Sequence, residues 1–378
     1  MSKSFDVCIR GDGIVGRTLA LLLARQRLRV ALVAKTIPIE TMAAPEDVRA
    51  YALNSASRQL LQTLRAWPAA AAVTPVSEMR VWGDDGGRLD FTAPQARAAA
   101  KLAGDAALAW IVDVPALEHE LSQALRFQPE VEMVESSGGA RAPLTVICEG
   151  HKSSSRQEFG ARWTVKPYAQ KAVAARLLSD QPHDGVARQW FGAGEILALL
   201  PVSGASGNSL ALVWSVSIAR AEALEKLSPA DFAAALQRVC GAEAGRLSLA
   251  SAVASWPLAL SNADRWVGPG WALAGDAAHT VHPLAGQGLN LGLADASELA
   301  HVLQAREYWR PLGDEKLLRR YERARKADVA AMGAVTDGLH GLFAQTDARW
   351  QALRNWGMKG VAQSGPLKAW LTRQATGL

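Results

Sequence analysis

Trp271-Ala272-Leu273-Ala274-Gly275-Asp276-Ala277-Ala278-His279 opens the stretch that decides the fold. It runs on through Pro283-Leu284-Ala285-Gly286-Gln287-Gly288-Leu289-Asn290 to Asp295. A short apolar strand ends at Gly275-Asp276, a glycine-rich turn follows, and a helix opens near Gly288. Leu289, Leu293, Ala296, Ala300 and Leu303 recur at steps of four, three, four and three residues, so one face of that helix is buried. A strand, a turn and a helix in that order leave free backbone amides at the helix start, where an anion is stabilised. Asp276, at the end of the strand, is placed to accept hydrogen bonds from hydroxyl groups.

The N-terminus repeats this order. Phe5-Asp6-Val7-Cys8-Ile9-Arg10 reads as the first strand of a buried parallel sheet. Gly11-Asp12-Gly13-Ile14-Val15-Gly16 follows at once, Leu19, Leu22, Leu23 and Gln26 continue a helical period, and Val30-Ala31-Leu32-Val33 supplies a second strand. A strand, a G-x-G-x-x-G turn, a helix and a strand within about thirty residues form the framework of a dinucleotide site. Gly11 permits the tight turn, Gly13 lets the backbone approach a pyrophosphate, and Gly16 lets helix and strand pack closely. Asp12 places a carboxylate where the loop meets phosphate. At about 5 Å and an effective dielectric near 20 that repulsion is roughly 3 kcal/mol, and several-fold less if the side chain turns into water. Lys35 stands where an acidic residue normally grips the adenosine ribose, and it would favour a 2′-phosphate. Taken alone, the N-terminal motif leaves FAD, NAD and NADP open.

Composition bounds the rest. The chain has 378 residues, 49% hydrophobic and 20% charged, which suits one large domain or two closely joined ones with a full core. Its three cysteines, Cys8, Cys148 and Cys240, form no CxxC pair, which excludes a disulfide scaffold or zinc ribbon and fits a reducing compartment. The net charge of +5 equals the five cations that follow Asp347 (Arg349, Arg354, Lys359, Lys368 and Arg373), so the remaining body is balanced. Nucleic acid is a poor partner for such a body. No apolar run reaches the roughly 18 residues of a bilayer span, and Met1-Ser2-Lys3-Ser4 leads into Phe5 without a signal-type stretch. The expected location is cytoplasmic.

GDAAHTVHPLAGQGLNLGLAD, residues 275–295, closely resembles the second FAD signature of the class A flavoprotein aromatic hydroxylases, and within them the ubiquinone-biosynthesis hydroxylases. The resemblance covers nearly the whole chain. Arg49-Ala50-Tyr51-Ala52-Leu53-Asn54 is similar to the segment whose arginine reaches the FAD pyrophosphate. Trp110-Ile111-Val112-Asp113, Leu197-Ala198-Leu199-Leu200-Pro201, Trp214-Ser215-Val216, Arg320-Tyr321-Glu322-Arg323-Ala324-Arg325 and Pro366-Leu367-Lys368-Ala369-Trp370-Leu371 match further family segments. Where the family carries Asp-Gly followed by Ser and Arg, this chain has Glu149-Gly150 before Ser153 and Arg156.

The resemblance implies an α/β fold, with an FAD-binding Rossmann-like domain interleaved with a mixed-sheet substrate domain, and a helical C-terminus. Residues 1–75, 100–160 and 255–305 would build the discontinuous FAD-binding domain, 76–99 and 161–254 the substrate domain, and 306–378 the C-terminal helical region. It implies hydroxylation of the aromatic ring of a polyprenylated phenol by O2, through a flavin C4a-hydroperoxide, with NAD(P)H or another donor bound transiently. Pro283, Gly286 and Gln287 are expected to shape the site over the isoalloxazine, where Gly288, Leu289 and Asn290 lend their amides to the reduced flavin. Gly11, Gly13, Gly16, Arg49 and Asp276 would hold the rest of FAD, with Asp276 on a ribitol hydroxyl.

Other readings compete. His279 and His282 lie three apart but lack a third ligand at metal spacing, so they are read as structural or pocket-lining. Trp190 and Trp214 are the tryptophans placed in the substrate pocket. The basic tail, with Trp350, Leu353, Trp356 and Trp370 among its cations, is read as a packed helical hairpin that also makes peripheral contact with the inner face of a membrane. Two alternatives to the prenyl-phenol enzyme stand beside it. One is a hydroxylase of a small soluble aromatic; the other is a flavin-poor structural partner in a biosynthetic complex, motivated by Asp12, Lys35 and Glu149.

Overall fold

In the computed structural model of the chain, which describes residues 4–34, 47–83, 87–93, 107–136, 140–192, 194–281 and 287–344, the N-terminal unit forms as its sequence dictates. Side chains are described to residue 333, and all counts below refer to the described residues. The unit consists of β1 (Val7–Arg10), α1 (Ile14–Arg25) and β2 (Val30–Val33). Then come β3 (Ala50–Leu53), α2 (Ser55–Thr63), β4 (Val73–Val76), β5 (Glu78–Trp82), β6 (Arg88–Thr92) and β7 (Ala109–Asp113). α3 (Val114–Arg126), β8 (Val131–Val134), β9 (Leu144–Ile147) and the single turn α4 (Ser155–Glu158) close the first half. The second half begins with β10 (Trp163–Ser179), β11 (Val186–Gly192), β12 (Glu195–Val202) and β13 (Ser209–Ser217). It continues through α5 (Ile218–Leu224), α6 (Pro229–Cys240), β14 (Leu247–Leu249), β15 (Ala254–Ala263), β16 (Val267–Gly268), β17 (Trp271–Leu273) and β18 (His279–Thr280). Two long helices follow, α7 (Gly288–Gln304) and α8 (Glu315–Ala344). The ends of the helices obey local chemistry. Asn54 caps α2 by accepting from the Ser57 amide at 2.8 Å, and Ser228 caps α6, whose first residue is a proline.

Three sheets organise these elements. The first, in the order β16-β17-β9-β1-β2-β8, is parallel throughout except for β16. Its strands are apolar on both faces because helices cover both, as α/β sheets require. Val7, Ile9, Val30, Leu32 and Val146 are fully buried with α1, α7 and Tyr321 of α8. β3, β7 and β4 form a small antiparallel sheet beside it. The third sheet has nine strands and is mixed: β11 runs parallel to β5, and its other pairs are antiparallel. β15, which starts the 255–305 segment, pairs with β10 in this sheet, so that segment enters both units.

The faces of the large sheet differ. Leu197, Leu199, Leu210, Leu212, Trp214 and Val216 point to the side covered by α5 and α6. On the opposite side Arg176 of β10 donates to the Arg49 carbonyl at 3.0 Å and pairs with Asp113, so this side meets the dinucleotide unit. Trp190 and Trp214 are therefore not pocket residues. Trp214 is wholly buried, edge-on to Phe232, with its Nε1 donating to Glu195 at 3.0 Å. Trp190 stacks on Trp82 at 4.7 Å. Residue pattern alone does not separate the faces, since β12 and β13 are apolar on both.

A buried polar joint locks the strand–turn–helix segment to α8. The Asp295 carboxylate of α7 has no solvent exposure. It accepts from the Gly275 amide at 2.9 Å, from His279 Nε2 at 2.7 Å and from Arg325 Nε at 2.8 Å. An ionised carboxylate only accepts, so His279 carries its proton on Nε2. Trp266 stacks on His279 at 4.8 Å, and the Tyr321 hydroxyl donates to the Leu273 carbonyl at 2.8 Å. Burial alone would raise the Asp295 carboxyl, but His279 and Arg325 outweigh it and hold its pKa below the ordinary value. Its contribution to stability is thus complete above the unfolded pKa of about 4 and is lost as pH falls through the depressed folded pKa.

Asp295→Asn, which leaves Arg325 buried without its counter-charge, should lower the unfolding free energy at neutral pH by about 3–5 kcal/mol. In urea titrations the deficit should hold down to about pH 5 and shrink below about pH 4; equal stability at neutral pH would refute the joint's role. Trp214→Ala should cost about 3–5 kcal/mol as a core truncation. It should leave cofactor uptake by the folded fraction unchanged, as flavin fluorescence titration would show.

Candidate active site

Two glycines hold the first turn in place. Gly11 has φ of +107°, and a Cβ there would lie 2.5 Å from the Cys148 carbonyl oxygen. A Cβ on Gly16 would strike the Gly11 carbonyl oxygen, so α1 can lie against β1 only with glycine at that position. Gly13 differs: it is exposed, it is the N-cap of α1 without a side-chain cap, and a Cβ there would meet nothing within 4 Å. α7 begins in the same way. Gln287 is its N-cap with no side-chain cap, and a Cβ on Gly288 would also meet nothing within 4 Å. The first-turn amides of both helices make no intrahelical bond.

These two helix starts share one rim. Val15, in the first turn of α1, has Cγ2 3.2 Å from a Cβ built on Gly275 and 2.8 Å from one built on Gly292 in α7. Asp276 follows Gly275 directly. Its side chain is open to solvent yet crowded by protein, as at the floor of a cleft, and desolvation raises its pKa. Arg49 and His151 are near enough to act on it electrostatically, and Asp276 in turn acts on Tyr51 of β3. Arg49 is partly exposed and is held by Asp47, with Nε–Oδ1 at 2.8 Å and Nη2–Oδ2 at 2.6 Å.

The side chains of Gln287, Leu289 and Asn290 serve the frame. The Asn290 Oδ1 accepts from the Asn54 amide at 3.0 Å and the Ser57 hydroxyl at 2.7 Å, while its Nδ2 donates to the Ala52 carbonyl at 2.8 Å. It also donates to Gln287 Oε1 at 3.2 Å. Leu289 is buried among Ile14, Leu293 and Val114. Only the backbone of these residues remains for a ligand. Pro283, Gly286, His282, Lys35 and the tail beyond Asp347 lie outside the described residues.

The three departures from the family pattern acquire partners where they are described. Asp12 lies 3.6 Å from Arg17 Nη2, which sets a cation against the carboxylate at the phosphate-facing turn. Arg17 also donates to the Glu118 carbonyl at 3.0 Å and to Ser122 at 2.6 Å, tying α1 to α3. Glu149 accepts from the hydroxyls of Ser153 and Ser155 at 2.6 and 2.7 Å and from the Ser155 amide at 3.2 Å, capping α4. Arg156, buried and cation–π stacked on Trp163 at 3.7 Å, donates to the Ala277 carbonyl at 3.2 Å and to the His151 carbonyl. Sequence reading missed this last contact and the Arg325–Asp295 pair. The signal for the second was present: Leu317, Leu318, Tyr321 and Arg325 fall on one helical stripe, which makes a buried arginine plausible.

Opposite this rim, Ala254, Ala174, Val213, Ala198 and Gln189 form one cross-strand row on the inner face of the large sheet. Ala254, Val213, Ala198 and Gln189 are all partly exposed although their strands are paired on both sides. The row therefore presents a partly exposed, mostly apolar strip on the face that meets the dinucleotide unit. Among the described residues no group of three metal-ligating side chains occurs, and His279 is committed to Asp295.

The donor set fits FAD. Two uncapped helix starts and Arg49 suit a pyrophosphate and an anionic ring, and Asp276 suits a polyol hydroxyl. The comparisons agree. Residues 4–336 match the FAD binding domain family. The ubiquinone hydroxylase UbiL of Rhodospirillum rubrum is 33% identical over 99% of this chain and 90% of that protein. The 3-demethoxyubiquinol 3-hydroxylase of Escherichia coli is 30% identical over 99% and 98%. In fold, p-nitrophenol 4-monooxygenase PnpA from Pseudomonas putida superposes with a TM-score of 0.76 at 16% identity, covering 99% of both chains. PqsL from Pseudomonas aeruginosa, in complex with 2-aminobenzoylacetate, gives 0.75 at 21%, covering 94% of this chain and all of that one. The chain belongs to the FAD-binding family of class A flavoprotein hydroxylases, in its ubiquinone-biosynthesis branch.

Proposed function

We propose that this protein hydroxylates the aromatic ring of a polyprenylated phenol in ubiquinone synthesis, using FAD, O2 and NAD(P)H as a transient donor. The observation that carries this reading is whole-length similarity to ubiquinone hydroxylases in a chain whose cleft supplies the donors FAD needs. FAD, when bound, supplies the activation of O2; the rest is the protein's work. Gly13 and the α1 amides would hold the pyrophosphate, with Arg49 as the cation. Asp276 would accept from the ribityl chain. The amides of Gly288, Leu289 and Asn290 would stabilise negative charge on the flavin ring. The row from Ala254 to Gln189 holds a flat ring against the sheet, and its apolar surface keeps water from the reacting atoms. Pro283, Gly286 and Gln287 are the residues proposed over the flavin, and the basic C-terminal region is the proposed membrane contact.

Asp12 and Glu149 support the enzyme over a flavin-poor scaffold. The first has Arg17 as its partner, which reduces repulsion of phosphate, and the second is fully occupied in holding α4.

Purified protein should be yellow and release stoichiometric FAD on denaturation. With NAD(P)H and O2 it should hydroxylate prenylated phenols faster than their unprenylated forms. A colourless protein that takes up no FAD on titration would overturn the assignment. Asp276→Asn removes a charged acceptor from the cleft, so FAD affinity should fall by about ten- to a hundredfold in flavin fluorescence titration, with the fold retained.

A further inference from the structure

Arg80 and Arg188 are direct register partners across the parallel pair β5–β11. Like charges placed opposite one another destabilise a sheet, and here one of the two is also enclosed: Arg188 is only 8% exposed. Arg80 is met by Glu78, with Nε–Oε1 at 2.8 Å and Nη2–Oε2 at 3.0 Å. Arg188 is not met in this way. Its Nη1 donates to the Val186 carbonyl at 3.3 Å, and its buried Nε has no partner. A guanidinium has five N–H donors and keeps its charge in any fold. Enclosing one with its donors unmet costs free energy unless a counter-charge arrives.

The two arginines open into a cleft of about 530 Å³ whose walls include Gln181, Asp184, Ala242 and Glu243. Asp184 and Glu243 are exposed rim residues; they act on Arg188 electrostatically, but no ion pair to it forms among the described residues. The cleft is separate from the flavin site. Arg188 is in register with Leu199, which belongs to the face covered by α5 and α6, opposite the face of Arg176.

We propose that this cleft binds a phosphate-class oxyanion, gripped by Arg188 with Arg80 as the second cation. The unmet donors of Arg188, with the N–H groups that Glu78 leaves on Arg80, need more acceptor oxygens than a carboxylate offers, and a tetrahedral phosphoryl group supplies them. Its source is either a soluble phosphate compound or the headgroup of a phospholipid.

The test uses FAD-loaded protein, so that the cofactor site cannot take up the probe. Calorimetric titration with inorganic phosphate at constant ionic strength, with chloride as control, should give a saturable heat in the wild type. Arg188→Met should weaken phosphate binding by about tenfold or more. Arg80→Gln, at a half-buried position, should weaken it as well, and it carries the test if Arg188→Met fails to fold. Vesicles of phosphatidylcholine with and without phosphatidate separate the sources. Sedimentation with phosphatidate vesicles alone, lost in the variants, assigns a headgroup; saturation by free phosphate without sedimentation assigns a soluble ligand. The proposal is overturned if about 10 mM phosphate, enough to fill a site with Kd near 1 mM, gives no heat. Such a result is expected if Glu243 itself closes onto Arg188. Binding that survives both substitutions overturns it equally.

Discussion

The Asp295 carboxylate must be paired wherever it goes, because an isolated charge cannot persist in a site with no solvent access. Its three partners come from the turn at Gly275, from His279 and from Arg325 of α8. Satisfying one charge therefore fixes the relative positions of the turn that carries Asp276, the helix that begins at Gly288 and the long helix behind them. Gly292 and Val15 then meet at van der Waals range, which brings the start of α1 to the same rim. Much of the cofactor cleft is a geometric consequence of this buried joint.

A division of labour follows. Around the cleft the polar side chains are mostly occupied with protein: Asn290 with β3 and α2, Glu149 with the start of α4, Arg156 with the carbonyls beside Asp276. In the proposed site, contacts to the cofactor fall mainly to backbone amides and to Arg49 and Asp276. Backbone donors held by a rigid frame need no reorganisation when charge develops near them, and that is the condition for effective electrostatic stabilisation. At Gly13 and Gly288 a Cβ would meet no protein atom within 4 Å, so packing does not require glycine at either position.

The strand–turn–helix units and the parallel sheet were legible because glycine spacing and apolar period are local signals. The segment around Gly275–Asp295 was legible twice over, by its period and by its resemblance. Trp190 and Trp214 were misplaced for a physical reason: in strands buried on both sides, alternation no longer marks a face, and only register against Arg176 shows which side meets the dinucleotide unit. The helical stripe through Leu317, Leu318 and Tyr321 marks Arg325 as buried, but its partner Asp295 and the partner of Arg156 lie 30 and 121 residues away in sequence, where no local pattern identifies them. Asp12 is repulsive to phosphate on local pattern alone, because the spacing to Arg17 is i, i+5 and not the usual helical i, i+4; the pair forms because Asp12 precedes the helix.

The large sheet separates a packed face from a more open one by side-chain volume alone. Its outer face is filled by Trp214, Phe232 and the leucines beneath α5 and α6, where burial supplies the free energy of the domain. On its inner face Ala198 and Val213 stay partly exposed beside the buried Ala174, so open apolar surface there comes from side-chain volume left out of one row and not from a distorted backbone. The two demands, a dense core and an open apolar surface, are met on opposite sides of the same strands. Enlarging Ala198 or Val213 would fill that surface with little cost, whereas enlarging Ala174, only 1% exposed, would overpack the interior.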